Sequence, residues 1–596
     1  MSVDINIIRH SMAHVLAAAV QKLWPDVKFG GGPAIENGFY YDFDMAHRIT
    51  EADFPKIEKE MRELIKSGGR FEQSSMSISD AMEKFKDEPL KQEWINDIEN
   101  GEKVGGFKCM SDTNEISVYK FRDFTDLCRG EHVPTSKELP RDAFKIRSVA
   151  GAYWRGDSKN KMLQRVYVDA FLTKEELDAH LLMMEEAAKR DHRKIGPALG
   201  LFFFDGRSPG VPYYMPDGLI VYKEMYKFWS DYHEANDYLE FRSPLLNKRE
   251  LYEESGHWKH YNEDMWKFTE DENNVFAMAP MACPNAIVAY MNDIKSHHDL
   301  PWRLCDVDTL YRYESSGALN GLLRSYEFNQ DDAHIFVTED MIESEYMRIL
   351  DMVDDFYKLF GMKCFIRLST RPEKFLGEIE TWNHAESILK KVMTERFGAD
   401  GFAIQEGEGA FYGPKLDINM TDSIGREWQT GTIQLDFQLA KRFNAVYTAA
   451  DGSKKHPIII HRTIYGSLGR FLALVIESFA GKLPVWMAPT HTMVIPVSEK
   501  YDDYAKKIID ELRDVDIKTA TRGLRVKGDF SSESMQKRIR DAQLKQVPYM
   551  IIVGEQEQEN GTISVRTRDN KQMNGIALAE FVKELREKIE NRSLEI

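Results

Sequence analysis

Two rhythms of apolar and polar positions run along the chain and divide it into modules. RHSMAHVLAAAVQKLW has the three- and four-residue spacing of a helix, PAIENGFYYDFD follows a Gly-rich turn with the alternation of an aromatic strand, and ADFPKIEKEMRELIKSG is helical again. Thr173 opens TKEE, a capping box, and the following LDAHLLMMEEAAKRDHRKIG predicts a connector helix that runs to Gly196 and Pro197. LFFFDG, a long helix and FRSPLL then lead into the segment from Leu304 to Phe336. Its pattern predicts a hairpin, with Arg312 and Glu314 on the outgoing strand and Arg324 on the returning one. REWQTGTIQLDFQLAKRF is an alternating strand, and HRTIYGSLGRFLALVIE turns at glycine into an apolar helix. After Pro489 the order becomes strand HTMVIPVS, helix, strand IKTAT, helix, strands VPYMIIVG and TISVRTR, and a final helix, a small α/β module. The prediction is an α+β multidomain protein.

Composition narrows the picture. With 596 residues and 42% hydrophobic side chains the chain can bury several cores. A net charge of −18 argues against generic polyanion binding, so any RNA contact has to be local. The cysteines are Cys109, Cys128, Cys283, Cys305 and Cys364, an odd number without a CxxC pair, which predicts a reducing, cytoplasmic setting. The apolar run from Met12 to Leu23 is too short for a membrane span, and no membrane partner is expected.

The hairpin segment gathers two arginines, the carboxylates Glu314 and Asp332, Gln330 and the imidazole of His334. Paired guanidinium forks suit a nucleoside triphosphate. No Walker A or Rossmann glycine fingerprint occurs, so a nucleotide here would be held by side chains over a sheet. The plain alternative is a solvated hairpin with charge-paired arginines. Gly466 and Gly469, near Ser467 and Arg470, predict a turn that lets a flat ring approach the backbone. GEGAFYGPKLD supplies Glu408, Tyr412 and Lys415, and the alternating strand supplies Gln429 and Gln434.

Two sets of ligand-type residues stand out. His10 and His14 lie one helical turn apart, and DFTDLCRGEHVP places Cys128 and His132 at the same spacing, with Asp126 nearby. These residue types fit either a zinc site or a water-activating hydrolytic pocket. Cys283, His334 and His461 are scattered, but one thiolate and two imidazoles make a three-ligand zinc site with an open fourth position. Each residue read singly is an ordinary core or surface position. In the last module Arg566 and Arg568 on one strand and Lys537, Arg538 and Arg540 on a helix form a candidate RNA footprint, or else the solvated faces of a dimerisation module.

YRYE, LLR, FNQDDAHIF, GEGAFYGPK, the strand with Gln429 and Gln434, and HRTIYGSLGRF resemble the threonyl-tRNA synthetases, which are class II enzymes. SMAHVLA and DLCRGEHVP resemble their editing domain, and VPYMIIVG with SVRTR resembles their anticodon-binding domain. The resemblance implies an editing domain over 1–170, a linker helix over 171–195, a catalytic domain with an antiparallel sheet over 196–488, and an anticodon-binding domain over 489–596. It implies activation of L-threonine with ATP and Mg²⁺, transfer to tRNA-Thr, hydrolysis of mischarged seryl-tRNA, and a homodimer. Arg312, Arg324 and Arg470 would hold phosphates, Glu314 would read adenine, and Asp332 and Tyr412 would position the amino acid. Gln330, Lys415, Gln429, Gln434 and Ser467 would line the pocket. One Zn²⁺ per subunit would sit on Cys283, His334 and His461. His10, His14, Asp126, Cys128 and His132 would edit, with water activation and no tightly held zinc. Glu557 and Arg566 would read the anticodon. The family's small ubiquitin-like N-terminal module is expected to be absent. Ala279, Ala282, Ala286, Tyr326 and Ser532 depart from the family's usual residues, so altered support for the pocket and for phosphate affinity is expected. Competing readings are a regulatory RNA-binding protein that has lost catalysis and a free-standing aminoacyl-tRNA hydrolase.

Overall fold

The computed structural model describes residues 4–100, 115–157, 159–271 and 274–596; Cys109 lies outside them. It forms two compact units, Met1–Glu185 and Glu186–Ile596.

In the first unit the elements run α1 (Ile5–Leu23), β1 (Gly38–Asp44), α2 (Phe54–Ser67), β2 (Phe71–Ser77), α3 (Pro89–Glu99), β3 (Glu115–Phe121), β4 (Phe124–Leu127), β5 (Phe144–Tyr153) and β6 (Met162–Ala170). The Asp4 carboxylate caps α1 by accepting the Asn6 N–H at 2.9 Å. Residues Ser11 to Val20 of α1 are all buried, and the alanines among them let the helix lie close against β1. β1, β6 and β5 pair antiparallel in one sheet, and β2, β3 and β4 in another.

The predicted capping box forms: Thr173 Oγ1 accepts the Glu176 N–H at 3.2 Å, and Glu176 Oε2 accepts the Thr173 N–H at 3.3 Å. The helix it starts, α4 (Lys174–Arg190), ends earlier than the periodicity indicates. Asp191 interrupts it and caps α5 (His192–Leu199), accepting the Arg193 N–H at 2.8 Å. Gly196 and Pro197 therefore lie inside a helix, and left-handed Gly200 stops it.

The second unit continues with α6 (Pro216–Ala235), α7 (Cys283–Met291), β7 (Trp302–Asp306), β8 (Thr309–Tyr311), β9 (Glu327–Asn329), β10 (Asp332–Val337), α8 (Ile342–Leu359), β11 (Lys363–Ser369), β12 (Lys415–Thr421), β13 (Glu427–Asp436), β14 (Ile458–Thr463) and α9 (Leu468–Ser478). One sheet organises it, in the order Leu239–Glu240, β7, β10, β14, β13, β12, β11, Ala403–Gln405. The six central strands are antiparallel and only the two short edges pair parallel. Ile335, Ile433, Ile460 and Leu416 belong to the core of this unit, and α8 and α9 bury apolar faces in the same core.

The predicted hairpin differs in two respects. It breaks into two antiparallel pairs, β7 with β10 and β8 with β9. Arg312 and Glu314 lie just beyond β8, and Arg324 sits in the connecting loop instead of on the returning strand. The glycines and small residues of this loop favour short 3₁₀ turns over continued pairing.

The rest of the unit forms β15 (Thr492–Pro496), α10 (Asp502–Arg513), α11 (Met535–Leu544), β16 (Tyr549–Val553), β17 (Thr562–Thr567), β18 (Gln572–Ala577) and α12 (Leu578–Glu590). Val526–Gly528, and not IKTAT, supplies the parallel edge strand beside β15. Residues 518–522 instead close a loop through a Lys518–Arg522 bridge.

Candidate active sites

The register of the large sheet builds the first site. Across neighbouring strands, His334 faces His461, His461 faces Gln434, and Gln434 faces Lys415. A second row on the same face pairs Asp306 with Asp332, Thr463 with Thr432, and Thr432 with Asp417. Gln429 and Gln434 are five residues apart, so on a regular strand they would point to opposite faces. A bulge opposite Ile418 inserts one extra residue of β13 and returns Gln429 to the face of Gln434. Gly431 sits at that bulge because a Cβ there would collide with the Thr463 carbonyl.

Cys283, at the start of α7, brings its thiol to this surface. Its ligand atom and those of His334 and His461 lie within 4.8 Å of one another, and all three residues are buried. His334 Nδ1 is buried with no hydrogen-bond partner among the described residues. Burial, followed by the charges of Asp332 and Asp436, raises the Cys283 thiol well above its ordinary value. Burial, followed by His461 and Arg462, lowers His334 well below its own. Without a cation these groups are held neutral, and the donor set fits a zinc ion that replaces the thiol proton. Asp436, fully buried, accepts from His461 Nε2 at 3.1 Å and orients that ring. Tyr412 donates to Gln434 Oε1, and its ring packs 5.2 Å from that of His461. His257, which the sequence pattern does not single out, places Nε2 3.8 Å from the Cys283 sulfur.

Arg312 donates Nε–H to the Pro280 carbonyl at 3.1 Å, and its guanidinium lies over the Phe328 ring. Arg324 reaches back to Glu314 at 2.9 Å, so the carboxylate expected at adenine is bound here to an arginine. Arg470, in the first turn of α9, donates to the Leu323 carbonyl at 2.9 Å. Burial, then the charges of Arg324 and Arg312, depress the Arg470 pKa, so the three guanidiniums form one electropositive group. An anion spanning them would relieve that repulsion. Ser467 caps α9 and accepts the Arg470 N–H at 3.0 Å, and Gln330 pairs with Ser467 across the turn. Lys415 is bound to Asp417 at 2.7 Å, and Gln429 Nε2 donates to the same carboxylate at 2.7 Å.

At Gly466 and Gly469 the protein itself requires the missing side chain: a Cβ would meet the Thr430 carbonyl at Gly466 and the Tyr214 hydroxyl at Gly469. Tyr326 packs edge-on against Trp266 at 5.5 Å and accepts the Arg312 N–H at its carbonyl, so its ring props up the arginine strand. Ala279, Ala282 and Ala286 are fully packed.

The second site lies in the first unit. His10 and His14 project from α1 towards the segment after β4, which brings Cys128 and His132. Cys128 Sγ is 3.3 Å from His10 Nε2 and 3.2 Å from His132 Nε2. Ser11 donates to the Ile7 carbonyl at 2.8 Å, so the His132 Nδ1–H is the donor to Ser11 Oγ at 3.1 Å and Nε2 is left as the acceptor facing the thiol. Burial and the Asp126 charge push the Cys128 thiol up to about 12, so it stays protonated near neutrality. Gly130 is packed so closely on His10 that a Cβ would strike its ring. Asp126 is pinned by the Tyr41 hydroxyl and by buried Lys91, which also donates to the Gly30 carbonyl at 2.5 Å. The four ligand-type residues fit within 4.8 Å, so metal binding is sterically open here too. His10, His14, Asp126 and Cys128 line a cavity of about 1230 Å³ whose far wall includes Arg165, forked onto Asp42 at 2.7 and 2.8 Å with Tyr40 beneath it.

In the last module Glu557 accepts from the Gly554 N–H and from Ser564 Oγ, and Arg566 donates to Asn570 at 2.6 Å. Two of the five expected RNA-facing cations are turned into the protein instead. Arg568 donates to the Leu483 and Lys482 carbonyls, and buried Arg538 to that of Asp529. Both satisfy loop carbonyls that have no strand partner.

Three family descriptions match along the chain: the "tRNA synthetase class II core domain (G, H, P, S and T)" over residues 266–479, the "Anticodon binding domain" over 491–588, and the "Threonyl and Alanyl tRNA synthetase second additional domain" over 116–167. Threonine–tRNA ligase of Acetivibrio thermocellus is 44% identical over 587 residues, 98% of this chain and 88% of that protein. The protein of the same name from Thermotoga maritima is 44% identical over 592 residues, 99% and 89% of the two chains. Among solved structures, the RNA binding domain of threonyl-tRNA synthetase from Cryptosporidium parvum Iowa II shares 38% identity at a TM-score of 0.62, covering 66% of this chain and 97% of that one. A putative threonyl-tRNA synthetase from Aeropyrum pernix shares 27% at 0.58, covering 68% and 97%.

Proposed function

The chain belongs to the threonine–tRNA ligase family, and from that premise we propose how its two sites divide the work. The protein activates L-threonine with ATP and Mg²⁺ and transfers the threonyl group to tRNA-Thr, with a hydrolytic check on mischarged tRNA. The threonine carboxylate attacks the α-phosphorus, pyrophosphate leaves, and a terminal ribose hydroxyl of tRNA then takes the acyl group as AMP departs. Arg312, Arg324 and Arg470 bind and neutralise the phosphates, replacing water with a pre-oriented set of donors. Gln330, Lys415, Gln429 and Ser467 line the nucleotide side, and Glu314 exchanges Arg324 for adenine when ATP enters.

Cys283, His334 and His461 would hold one zinc ion per chain, whose chemistry is to accept the amino and hydroxyl groups of threonine. Asp332 accepts a hydrogen bond from the threonine hydroxyl, and Tyr412 and Gln434 position the amino end. Such a site rejects valine, which has no hydroxyl, but serine differs from threonine by one methyl, worth only about 1–3 kcal/mol. That shortfall requires the second site. There His10, His14, Asp126, Cys128 and His132 surround a water that attacks the seryl ester, and the ribose oxygen leaves with a proton. A protonated Cys128 suits a hydrogen-bond donor in that pocket better than a nucleophile. Glu557 and Arg566 belong to the anticodon-reading surface.

The observation that carries this reading is the cross-strand row His334–His461–Gln434–Lys415, which sets a hydroxyl-seeking donor set beside three converging arginines. Exposed Leu239, Leu246, Phe203 and Tyr213 support a homodimer formed through the segment around α6. The free cysteines support a cytoplasmic setting, and no helix among the described residues is long and apolar enough to cross a membrane. Threonine-dependent exchange of pyrophosphate into ATP by the zinc-replete protein tests the proposal; a rate at background overturns it.

A further inference from the structure

His192, Asp191 and Glu477 bring ligand-type atoms within 4.8 Å of one another. Hydrogen bonds already occupy these atoms. Glu477 Oε1 accepts from His192 Nδ1 at 2.7 Å and from the His192 N–H at 3.2 Å, while Oε2 accepts from Arg426. The other ring nitrogen, Nε2, accepts the Leu322 N–H at 3.1 Å. The proton therefore sits on Nδ1, and the ring is a rigid bridge from α9, through the start of α5, to the loop between β8 and β9. That use of both nitrogens leaves no donor for a metal.

The bridged loop is the one that carries the arginines. Leu322 and Leu323 are buried in a 3₁₀ turn, Arg324 follows it directly, and the Leu323 carbonyl accepts from Arg470 Nε at 2.9 Å. Gly321 enters the turn at φ +54°, pressed so closely on the His192 ring that a Cβ would strike Nε2. Both His192 and Glu477 are almost completely buried, so the bridge is shielded from competing water.

We propose that His192 is a positioning residue for ATP: its Nε2 holds the Leu322 amide and so fixes the turn from which Arg324 extends and against which Arg470 is oriented. The inference rests on the reading of these arginines as triphosphate ligands. It predicts a selective effect. Losing the bond to Leu322 loosens the phosphate end of the site and leaves the threonine pocket on β10 and β14 unchanged.

The test is pyrophosphate exchange by the full-length protein, with KM measured separately for ATP and threonine. In His192→Asn the amide reaches the Nδ1 position and keeps the Glu477 bond but cannot reach Leu322. In His192→Gln the side-chain oxygen reaches the Nε2 position and accepts the Leu322 N–H. His192→Asn should raise KM for ATP about tenfold, the scale of one buried hydrogen bond, with KM for threonine changed less than about twofold. His192→Gln should recover most of the loss. Gly321→Ala, which pushes the turn off the ring from the loop side, should give the same split should His192→Asn fail to fold. Equal KM values for ATP in the Asn and Gln variants, or parallel rises for both substrates, overturn the proposal. Arg324→Ala separates the two levels. If it leaves KM for ATP unchanged, the nucleotide reading fails and the positioning role falls with it. If it raises KM for ATP while neither His192→Asn nor Gly321→Ala does, only the positioning role is refuted.

Discussion

Asp331 and Asp332 are neighbours in sequence, and their replacement by asparagine should have opposite consequences. Asp331 is completely buried. One oxygen accepts from Trp229 Nε1 at 2.6 Å and from Arg462 Nη1 at 2.9 Å, and the other accepts the N–H groups of Ile464 and Tyr465 at 2.9 Å each. Arg462 is equally buried, and its other polar neighbours are Tyr238 and His233, neither of them an anion; the His233 pKa is driven well below its ordinary value by burial and then by the Arg462 charge. In Asp331→Asn the amide oxygen can keep the two backbone donors, but the amide NH₂ then faces Trp229 and Arg462. An uncompensated guanidinium is left in the core, which costs about 3–5 kcal/mol. At roughly 2 °C per kcal/mol for a large domain, the melting temperature should fall by about 6–10 °C. Asp332 has the opposite electrostatics: burial, then the Asp331 charge, raises its pKa, so removing its charge relieves repulsion. Asp332→Asn should keep stability within about 1 kcal/mol of the parent. Loss of a charge-assisted bond to the threonine hydroxyl, worth about 1.5–3 kcal/mol, should reduce kcat/KM for threonine by roughly 10- to 150-fold. Scanning calorimetry and pyrophosphate exchange on both variants decide the matter. A stable Asp331→Asn protein, or an Asp332→Asn protein that melts as early, would refute the division of labour.

Chelation of the zinc-replete protein, or Cys283→Ala, should reduce bound zinc from about one per chain and weaken rejection of valine; metal analysis and exchange assays with both amino acids check this. His10→Ala or Cys128→Ala should let seryl-tRNA accumulate with threonine activation unchanged, read by acid gels of tRNA charged with serine. Gly130→Ala should do the same by displacing the His10 ring, at no more than about 1–3 kcal/mol in stability. His14 is held far below its ordinary pKa by burial, then by the charges of His10 and Lys91. Because its folded pKa is the lower one, the stability it supports is present above the unfolded value of about 6.5 and is lost as pH falls below it. The first unit should therefore weaken on acidification from about pH 6.5, less so in His14→Gln, as followed by circular dichroism of the full chain.

Residue chemistry was readable from sequence wherever spacing was local. The one-turn spacing of His10 and His14, the capping box at Thr173 and the three helices expected after Pro489 depend on neighbours within a few residues, and they fold as read, whereas the strand expected at IKTAT forms at Val526–Gly528 instead. Features set by distant partners were not readable. The bulge that turns Gln429 back beside Gln434 arises from pairing with Ile418, and alternation alone would assign one of the two glutamines to the wrong face. The Lys91–Asp126 pair joins residues from α3 and β4, and neither side chain advertises the other. Arg568 and Arg538 read as exposed cations because sequence does not reveal which loop carbonyls will need a donor. The division between Asp331 and Asp332 follows from strand register and is invisible in the pattern DD.

The cross-strand row has a consequence for how the gene can vary. A one-residue insertion within β14 ahead of His461 would slide His461 into the place of Arg462 and turn every later side chain of that strand to the other face. Single-codon insertions in β10, β13 or β14 should therefore be lost from a deep insertion library under selection for aminoacylation. Insertions of the same size in the exposed turns at Gly425 and Gly452, where added atoms meet open space, should survive. In this protein strand length acts as a reading frame for catalysis.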